Sequence, residues 1–108
     1  MPEDVRYRII VEPGVFDDLN RISSFYSSLD DGLAERVESL NGQGISGLAD
    51  FPGPYRFPCV PIAAFSHFRE AYLPFGKDGF VLRFEIIEER GLIVVYRVHH
   101  TREDRFFQ

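Results

Sequence analysis

Residues 68–100 read FREAYLPFGKDGFVLRFEIIEERGLIVVYRVHH, and this stretch decides the fold. It contains three apolar runs separated by two short glycine-containing loops: 68–75, 80–88 and 92–99, with the loops at 76–79 and 88–91. Alternation with a period of two favours strands, and loops this short join antiparallel neighbours because they cannot make a crossover. The stretch therefore predicts a three-stranded antiparallel meander. The last run is the most apolar, so it is expected to be the central strand.

Upstream of the meander, the first element is also predicted to be a strand. Apolar side chains alternate with arginines over Val5–Val11, and Pro13-Gly14 is expected to end that strand. From there the apolar period changes to three and four residues, which is typical of one stripe of a helix over 15–29. The apolar residues of that stripe are Val15, Leu19, Ile22, Tyr26 and Leu29.

The start of each helix carries acidic residues. Asp17 and Asp18 are expected in the first turn of helix 15–29, where carboxylates favour the positive end of the helix dipole. Asp30-Asp31-Gly32 is typical of a turn and of the cap of a second helix, predicted over 33–51. The helical spacing continues in that second helix at Leu33, Val37 and Leu40.

The end of the second helix is ambiguous. Gly42, Gly44 and Gly47 each cost about 1 kcal/mol relative to alanine inside a helix. The helix either ends near Asn41-Gly42 or is broken and resumes for a turn through Leu48 and Phe51. Residues 52–61 then hold four prolines, a density that neither a helix nor a central strand tolerates, so an ordered loop is expected there.

The order of elements predicts an α+β fold in one domain over residues 1–108. The chain has a mass of 12.5 kDa, which fits a single compact domain, and its 44% hydrophobic content excludes overall disorder. An antiparallel helical hairpin is expected to pack on one face of a largely antiparallel sheet built from the N-terminal strand and the meander.

The charge balance argues against a general nucleic-acid binder. The net charge is −5, and residues 1–66 carry ten acids against five bases whereas residues 67–108 carry seven of each. A protein that binds phosphate backbones is expected to be basic. One cysteine, no apolar leader and no long apolar run favour a cytoplasmic protein with no membrane partner.

Common catalytic and metal-binding patterns are missing from the sequence. Cys59 lies in the proline-rich loop without a catalytic signature around it. His99 and His100 are adjacent on a strand and so point to opposite faces, and no cysteine or carboxylate joins them at a ligand spacing. No glycine-rich phosphate loop is present either. No metal and no cofactor are therefore expected.

The most informative cluster is a set of basic side chains on the sheet. On the strand 80–88, Arg83 faces away from the helices if Leu82, Phe84 and Ile86 face them. On the next strand, Val94, Tyr96 and Val98 are expected to face the core. Arg97 then faces away from the core, beside Arg83. The predicted cluster is Arg83, Arg97, His100, Arg102 and Arg105. Arginine offers a planar fork for carboxylate or phosphate groups, so this could be a recognition face. The alternative is a solvated ion-pair face formed with Glu70, Glu85, Glu88 and Glu103.

Four motifs also carry a resemblance to a known family: Arg69-Glu70-Ala71, Pro74-Phe75-Gly76, Phe80-Val81-Leu82-Arg83-Phe84 and His100-Thr101-Arg102-Glu103. In this order they are similar to the ParE-like branch of the RelE/ParE superfamily, the bacterial toxins of type II toxin-antitoxin systems. The order of strands and helices predicted above is also the order of that superfamily. The resemblance covers nearly the whole chain and is specific over 68–104.

The superfamily divides in mechanism, and the matched positions favour one branch. RelE-like members are ribosome-dependent mRNA endonucleases that use lysine and arginine side chains on the sheet, whereas ParE-like members poison DNA gyrase. The two strand lysines of the RelE branch fall here on Glu70 and Tyr72, and its strand arginine falls on Val81. A carboxylate at Glu70 would repel a phosphate, so catalysis by this face is not expected.

The resemblance implies a toxin that binds gyrase and is neutralised by a cognate antitoxin in a hetero-oligomer, with no sequence-specific nucleic acid as a partner. One alternative is a RelE-like ribonuclease, in which Arg83 and Arg102 would be catalytic; another is a non-toxic antitoxin-binding module. The arginine cluster is the predicted target-binding site. The predicted antitoxin-binding residues are Leu19, Ile22, Tyr26, Leu33, Val37, Arg69 and Tyr72. An exposed apolar patch is expected near the helical hairpin or the sheet edge.

Overall fold

A computed structural model describes the backbone of residues 7–49, 59–62 and 65–106, and the side chains of 7–49 and 68–103. The elements in chain order are β1 Arg8–Val11, α1 Pro13–Ser27, α2 Asp31–Gly47, β2 Cys59–Ile62, β3 Phe65–Phe75, β4 Asp78–Ile87 and β5 Leu92–His100. Short 3₁₀ segments follow β4 and β5, at Glu88–Arg90 and Thr101–Phe106. This order confirms the predicted α+β fold.

The five strands form one mixed sheet in the order β1-β5-β4-β3-β2. β3, β4 and β5 pair antiparallel, which confirms the predicted meander. β1 pairs parallel with β5, from Arg8 opposite Leu92 to Val11 opposite Val95. β5 therefore has a strand on both sides, while β4 is the middle strand. The core lies between the helical hairpin and one face of this sheet, around Phe80, Leu82 and Phe84 of β4.

Helix α1 begins earlier than the sequence predicts. Pro13 occupies its first turn, where a fixed φ and a missing N–H are tolerated, so the expectation that Pro13-Gly14 precedes the helix is wrong. With this start, the first turn contains no acidic residue, and the predicted dipole role of Asp17 and Asp18 is wrong as well. Asp18 is instead buried, and its Oδ2 accepts a hydrogen bond from the Val98 N–H at 2.9 Å.

Helix α2 begins as predicted but does not break. The Asp30 side chain caps it by accepting a hydrogen bond from the Leu33 N–H at 3.1 Å. The helix then runs without interruption to Gly47, so both alternatives drawn from its glycines are wrong. Gly44 has a packing reason, because a Cβ atom there would lie 2.5 Å from Leu73 Cδ1 of β3. The missing side chain lets α2 approach the sheet.

Part of the predicted proline-rich loop is a strand. Cys59–Ile62 forms β2, which pairs antiparallel with β3, and Pro61 lies opposite Arg69. β2 is an edge strand of the sheet, the place where a strand tolerates proline because one side of its backbone needs no partner. Residues 52–58 of the predicted loop lie outside the described residues.

A β-bulge in β5 changes which side chains reach the core. Arg83 pairs with Arg97 but the next residue, Phe84, pairs with Val95, so Tyr96 is an extra residue in β5. The alternation therefore shifts at this point: Val95 and Val98 are buried in the core, whereas Val94 and Tyr96 are only partly buried. The prediction that Val94 and Tyr96 face the core is wrong, and that for Val98 is confirmed.

Candidate functional site

The predicted basic cluster lies in two separate places. Arg83 and Arg97 are cross-strand partners on the side of the sheet that points away from the helices, which we call the open face. His100 and Arg102 line a groove on the other side, next to helix α1, which we call the α1 groove. The Arg105 side chain is outside the described part of the chain. The fold thus makes two candidate sites where the sequence predicted one.

The open face contains an internal ion pair. Glu70 of β3 and Arg83 of β4 are register partners, and Arg83 Nε donates to Glu70 Oε2 at 2.6 Å. Both side chains are about 30% exposed, at 28% for Arg83 and 30% for Glu70. The predicted alternative, an ion-pair face, is therefore observed for this pair. A pair of this exposure is worth up to about 1 kcal/mol.

Aromatic side chains surround that ion pair. Tyr96, the extra residue of the bulge, packs edge to face against Phe68 with ring centroids 5.9 Å apart. Burial raises the pKa of the Tyr96 phenol, and Arg83 partly opposes this while Glu70 and Glu85 add to it. Tyr72 lies further along β3, and its hydroxyl donates to the Asp78 carbonyl oxygen at 2.9 Å. The open face is a mixture of aromatic rings and paired charges.

The α1 groove has a different chemistry. It is a cavity of about 310 Å³ between α1 and the end of β5, and its lining residues are Arg21, Ile22, Phe25, Tyr26, His100, Arg102 and Glu103. Ile22 and Tyr26 are also part of the core. The sequence analysis did not identify this groove. The adjacent aromatics Phe25 and Tyr26 could have indicated it, because two neighbouring residues of one helix cannot both point toward the protein core.

A chain of charged groups closes one side of the α1 groove. Arg21 Nη1 donates to Asp18 Oδ1 at 2.9 Å, and Arg21 Nη2 donates to Glu103 Oε2 at 2.7 Å. Partial burial would lower the pKa of Arg21, but the hydrogen bonds to Glu103 and Asp18 outweigh it and raise that pKa. The β1–β5 pairing ends at Val95, and Asp18 binds the backbone of β5 beyond that point, at Val98. These contacts fix α1 against the end of β5.

His100 and Arg102 form the opposite side of the α1 groove. The His100 ring lies 5.4 Å from the Phe80 ring and 6.3 Å from the Tyr26 ring, centroid to centroid. His100 Nδ1 accepts a hydrogen bond from the Arg102 N–H at 3.1 Å. Burial lowers the pKa of His100; Asp78 and Glu103 oppose that shift, whereas Arg102 adds to it. Arg102 Nε lies 3.0 Å from Asp78 Oδ2.

The seven predicted antitoxin-binding residues differ in accessibility. Ile22, Tyr26 and Val37 are buried, because the apolar stripe of the hairpin packs on the chain's own sheet. Leu19, Leu33 and Arg69 are partly buried, and Tyr72 is exposed. Val37 is not accessible to a partner, whereas the small exposed parts of Ile22 and Tyr26 line the α1 groove. Among the described residues, the large exposed apolar side chains are Ile10, Phe16, Phe25 and Leu29, together with Tyr72.

Within the described residues, no group of three or more histidine, cysteine, aspartate or glutamate side chains could hold a metal ion. In the same part of the chain, no helix has the length and apolar character needed to cross a membrane.

Comparison with known proteins gives one family match and one structural match. The family model described as the ParE toxin of type II toxin-antitoxin system, parDE, matches residues 9–105. Among solved structures, the toxin-antitoxin complex RelBE2 from Mycobacterium tuberculosis matches with a TM-score of 0.62 and 20% identity, covering 89% of this chain and 92% of that chain. This structural likeness supports the fold. No curated protein matches.

Proposed function

The chain belongs to the ParE toxin family of type II toxin-antitoxin systems, and we propose that it acts by binding DNA gyrase and is neutralised by a cognate antitoxin. The proposed site of action is the cytoplasm, where the free toxin would stabilise gyrase complexes with cleaved DNA. When the antitoxin is present, the toxin would be neutralised by being held in a hetero-oligomer with it. The family match supports the toxin class, and the open face supports the choice of target.

The choice of gyrase rests on the chemistry of the open face, which argues against cleavage of RNA. The positions matched to the catalytic lysines and arginine of the RelE branch are Glu70, Tyr72 and Val81. Glu70 is a carboxylate bound to Arg83 at 2.6 Å, and Val81 is buried. Cleavage of RNA requires cationic groups aimed at a phosphate whose charge develops in the transition state. A carboxylate that already neutralises the neighbouring arginine works against that requirement.

The Tyr72 position, matched to the other lysine, also argues against RNA cleavage and suits contact with a protein partner. The Tyr72 ring lies over Gly79, where a Cβ atom would be 2.6 Å from Tyr72 Cε1. Its hydroxyl is engaged with the Asp78 backbone, which fixes the ring at the end of the β3–β4 hairpin. A fixed, exposed aromatic side chain suits contact with a protein partner, because it loses little conformational freedom on binding.

We propose contacts with the two partners on both sides of the sheet. Gyrase is proposed to contact the arginines of the predicted target-binding set whose side chains are described: Arg83 and Arg97 on the open face, and Arg102 beside the α1 groove. Tyr72, Leu19 and Leu33 are proposed to contact the antitoxin, because they are the apolar members of the predicted set that the core does not bury completely. Arg69 stays a proposed contact at the β3 side of the sheet.

Purified protein tests this proposal in two parallel assays. We expect inhibition of gyrase supercoiling with accumulation of cleaved DNA, and no cleavage of mRNA on ribosomes. Arg102→Ala should reduce gyrase inhibition without unfolding the protein, since Arg102 is mostly exposed. Arg90→Ala is the matched control, because Arg90 is an exposed arginine outside both sites. Ribosome-dependent mRNA cleavage would select the ribonuclease branch, and inactivity in both assays would select a non-toxic antitoxin-binding module.

A further inference from the structure

The α1 groove is an apolar cavity on the surface of a small protein. Its volume of about 310 Å³ is larger than the roughly 150 Å³ cavity that holds benzene inside a protein core. Ile22, Phe25 and Tyr26 supply its apolar wall from one helix. The space is therefore sufficient for one bulky side chain, such as a phenyl ring or a branched aliphatic group.

Exposed apolar side chains extend the groove along α1. Phe25 is 59% exposed and Leu29, just after the helix, is 63% exposed. The Leu29 N–H donates to the Tyr26 carbonyl oxygen at 3.0 Å, which keeps the chain next to the last turn of α1 at this point. Bulky apolar side chains beside an apolar cavity are typical of a protein-binding site rather than of a solvated surface.

The charged residues of the groove favour an acidic partner. Two arginines and one glutamate line it; Arg21 is paired with Asp18 and Glu103, and Arg102 is paired with Asp78. The arginine side chains are the more exposed, at 71% for Arg102 and 42% for Arg21, compared with 26% for Glu103. A guanidinium has five N–H donors, and Arg102 contacts Asp78 through Nε. The Nη groups of Arg102 can therefore donate to a second carboxylate.

The backbone next to the groove excludes one mode of binding. A peptide added as a strand to β5 beyond Val95 would need the Val98 N–H, which already donates to the buried Asp18 carboxylate. A side chain inserted into the cavity needs no such backbone donor. The groove therefore suits an anchor from a helix or a turn of the partner.

We infer that the α1 groove receives one bulky apolar side chain of the antitoxin, next to a carboxylate that contacts Arg102. This inference rests on the proposed antitoxin partner and gives the chemistry of one contact that neutralisation would use. The anchor packs against Ile22, Phe25 and Tyr26, and Leu29 covers its outer side.

A small probe with these two groups tests the groove without an antitoxin. We expect 3-phenylpropionate to cause saturable chemical-shift changes in the full-length protein at Phe25, His100 and Arg102. The neutral 3-phenylpropanamide, with the same ring, should bind on the order of fivefold more weakly because it cannot form a charge-assisted hydrogen bond. Equal binding of both compounds, changes centred elsewhere, or no saturable change with the carboxylate would overturn the inference.

Two pairs of variants make the assignment specific. Phe25→Ala and Arg102→Gln should each weaken binding of the probe on the order of fivefold or more. Phe16→Ala is the matched apolar control, because Phe16 is 57% exposed on the same helix but does not line the groove. Arg90→Gln is the matched charged control. An equal loss in a control and its partner variant would contradict a role for the groove.

The antitoxin itself provides the second measurement. The candidate is the protein encoded by the gene adjacent to that of the toxin, and its affinity is measured against the same four variants. A tenfold or greater loss confined to Phe25→Ala and Arg102→Gln would support the inference. Equal affinity of the antitoxin for all four variants would overturn the groove assignment but leave the antitoxin proposal intact. Failure of the antitoxin to bind the unaltered toxin would overturn the antitoxin proposal. Self-association abolished by Phe25→Ala would assign the groove to a second copy.

Discussion

The open face and the α1 groove share basic side chains but use them differently. On the open face, Arg83 is matched by Glu70 directly across the β3–β4 pair, so the charges compensate within the sheet. In the α1 groove, Arg21 bonds both Asp18 in its own helix and Glu103, which lies 82 positions further along the sequence. A similar ion pair can thus connect neighbouring strands of one surface or join a helix to a segment that is remote in sequence. The second arrangement lies at the edge of the α1 groove.

The largest expected effect comes from removing the buried carboxylate of the groove. Asp18→Ala would leave the Val98 N–H and Arg21 without this partner, and we expect a loss of about 3 kcal/mol in the free energy of unfolding. Urea denaturation measures it. The control is Asp17→Ala, an exposed neighbour expected to change stability by less than about 0.5 kcal/mol. Equal effects of the two variants would show that Asp18 does not hold α1 to β5.

A smaller effect on stability is expected where helix α2 packs against β3. Gly44→Ala should destabilise the protein by about 1–3 kcal/mol, because the added Cβ would lie 2.5 Å from Leu73 Cδ1 unless the helix or Leu73 moves. Gly42→Ala in the same helix meets no atom within 4 Å and should instead stabilise by about 0.5–1 kcal/mol. Opposite signs in thermal denaturation would support close packing of α2 on β3; the same sign for both would contradict it.

These elements also show how far the sequence could predict the structure. The meander was predictable because apolar alternation and short glycine loops act locally, and the cap at Asp30 was predictable for the same reason. The bulge at Tyr96 was not, because Val94, Val95 and Tyr96 are all apolar and the alternation shows no break there. The packing reason for a glycine at position 44 is Leu73, which is remote in sequence.

The candidate sites were predicted less well for a related reason. Pairing of Arg83 with Arg97 followed from the strand pattern. The α1 groove depends on contacts between α1 and the residues after β5, and no local pattern records them. The stripe of α1 and α2 was interpreted partly as a partner surface, but Ile22 and Val37 are buried because the chain's own sheet covers that stripe. Amphipathicity alone does not distinguish an internal partner from an external one.

The third prediction uses pH to separate the groove from the open face. Burial lowers the pKa of His100 below its ordinary value of 6.5, so the unfolded chain binds a proton more readily than the folded chain. The free energy of unfolding should therefore rise with pH between the folded pKa and 6.5, and fall as the solution is acidified through that window. His100→Gln should lose this part of the pH dependence in urea denaturation series. A slope unchanged by the substitution would contradict the burial of a neutral imidazole in the groove.

The smallest effect is expected on the open face, and it completes the comparison. A double-mutant cycle of Glu70→Gln and Arg83→Gln should give a coupling energy below about 1 kcal/mol, because both side chains remain partly exposed and the pair is screened by water and salt. The same variants should leave binding of 3-phenylpropionate to the α1 groove unchanged, since neither residue lines it. A coupling of several kcal/mol would mean that the open face stabilises the fold as Asp18 does. In that case, loss of gyrase inhibition in an Arg83 variant would reflect loss of folding. The target-binding role would then be tested by Arg102 variants.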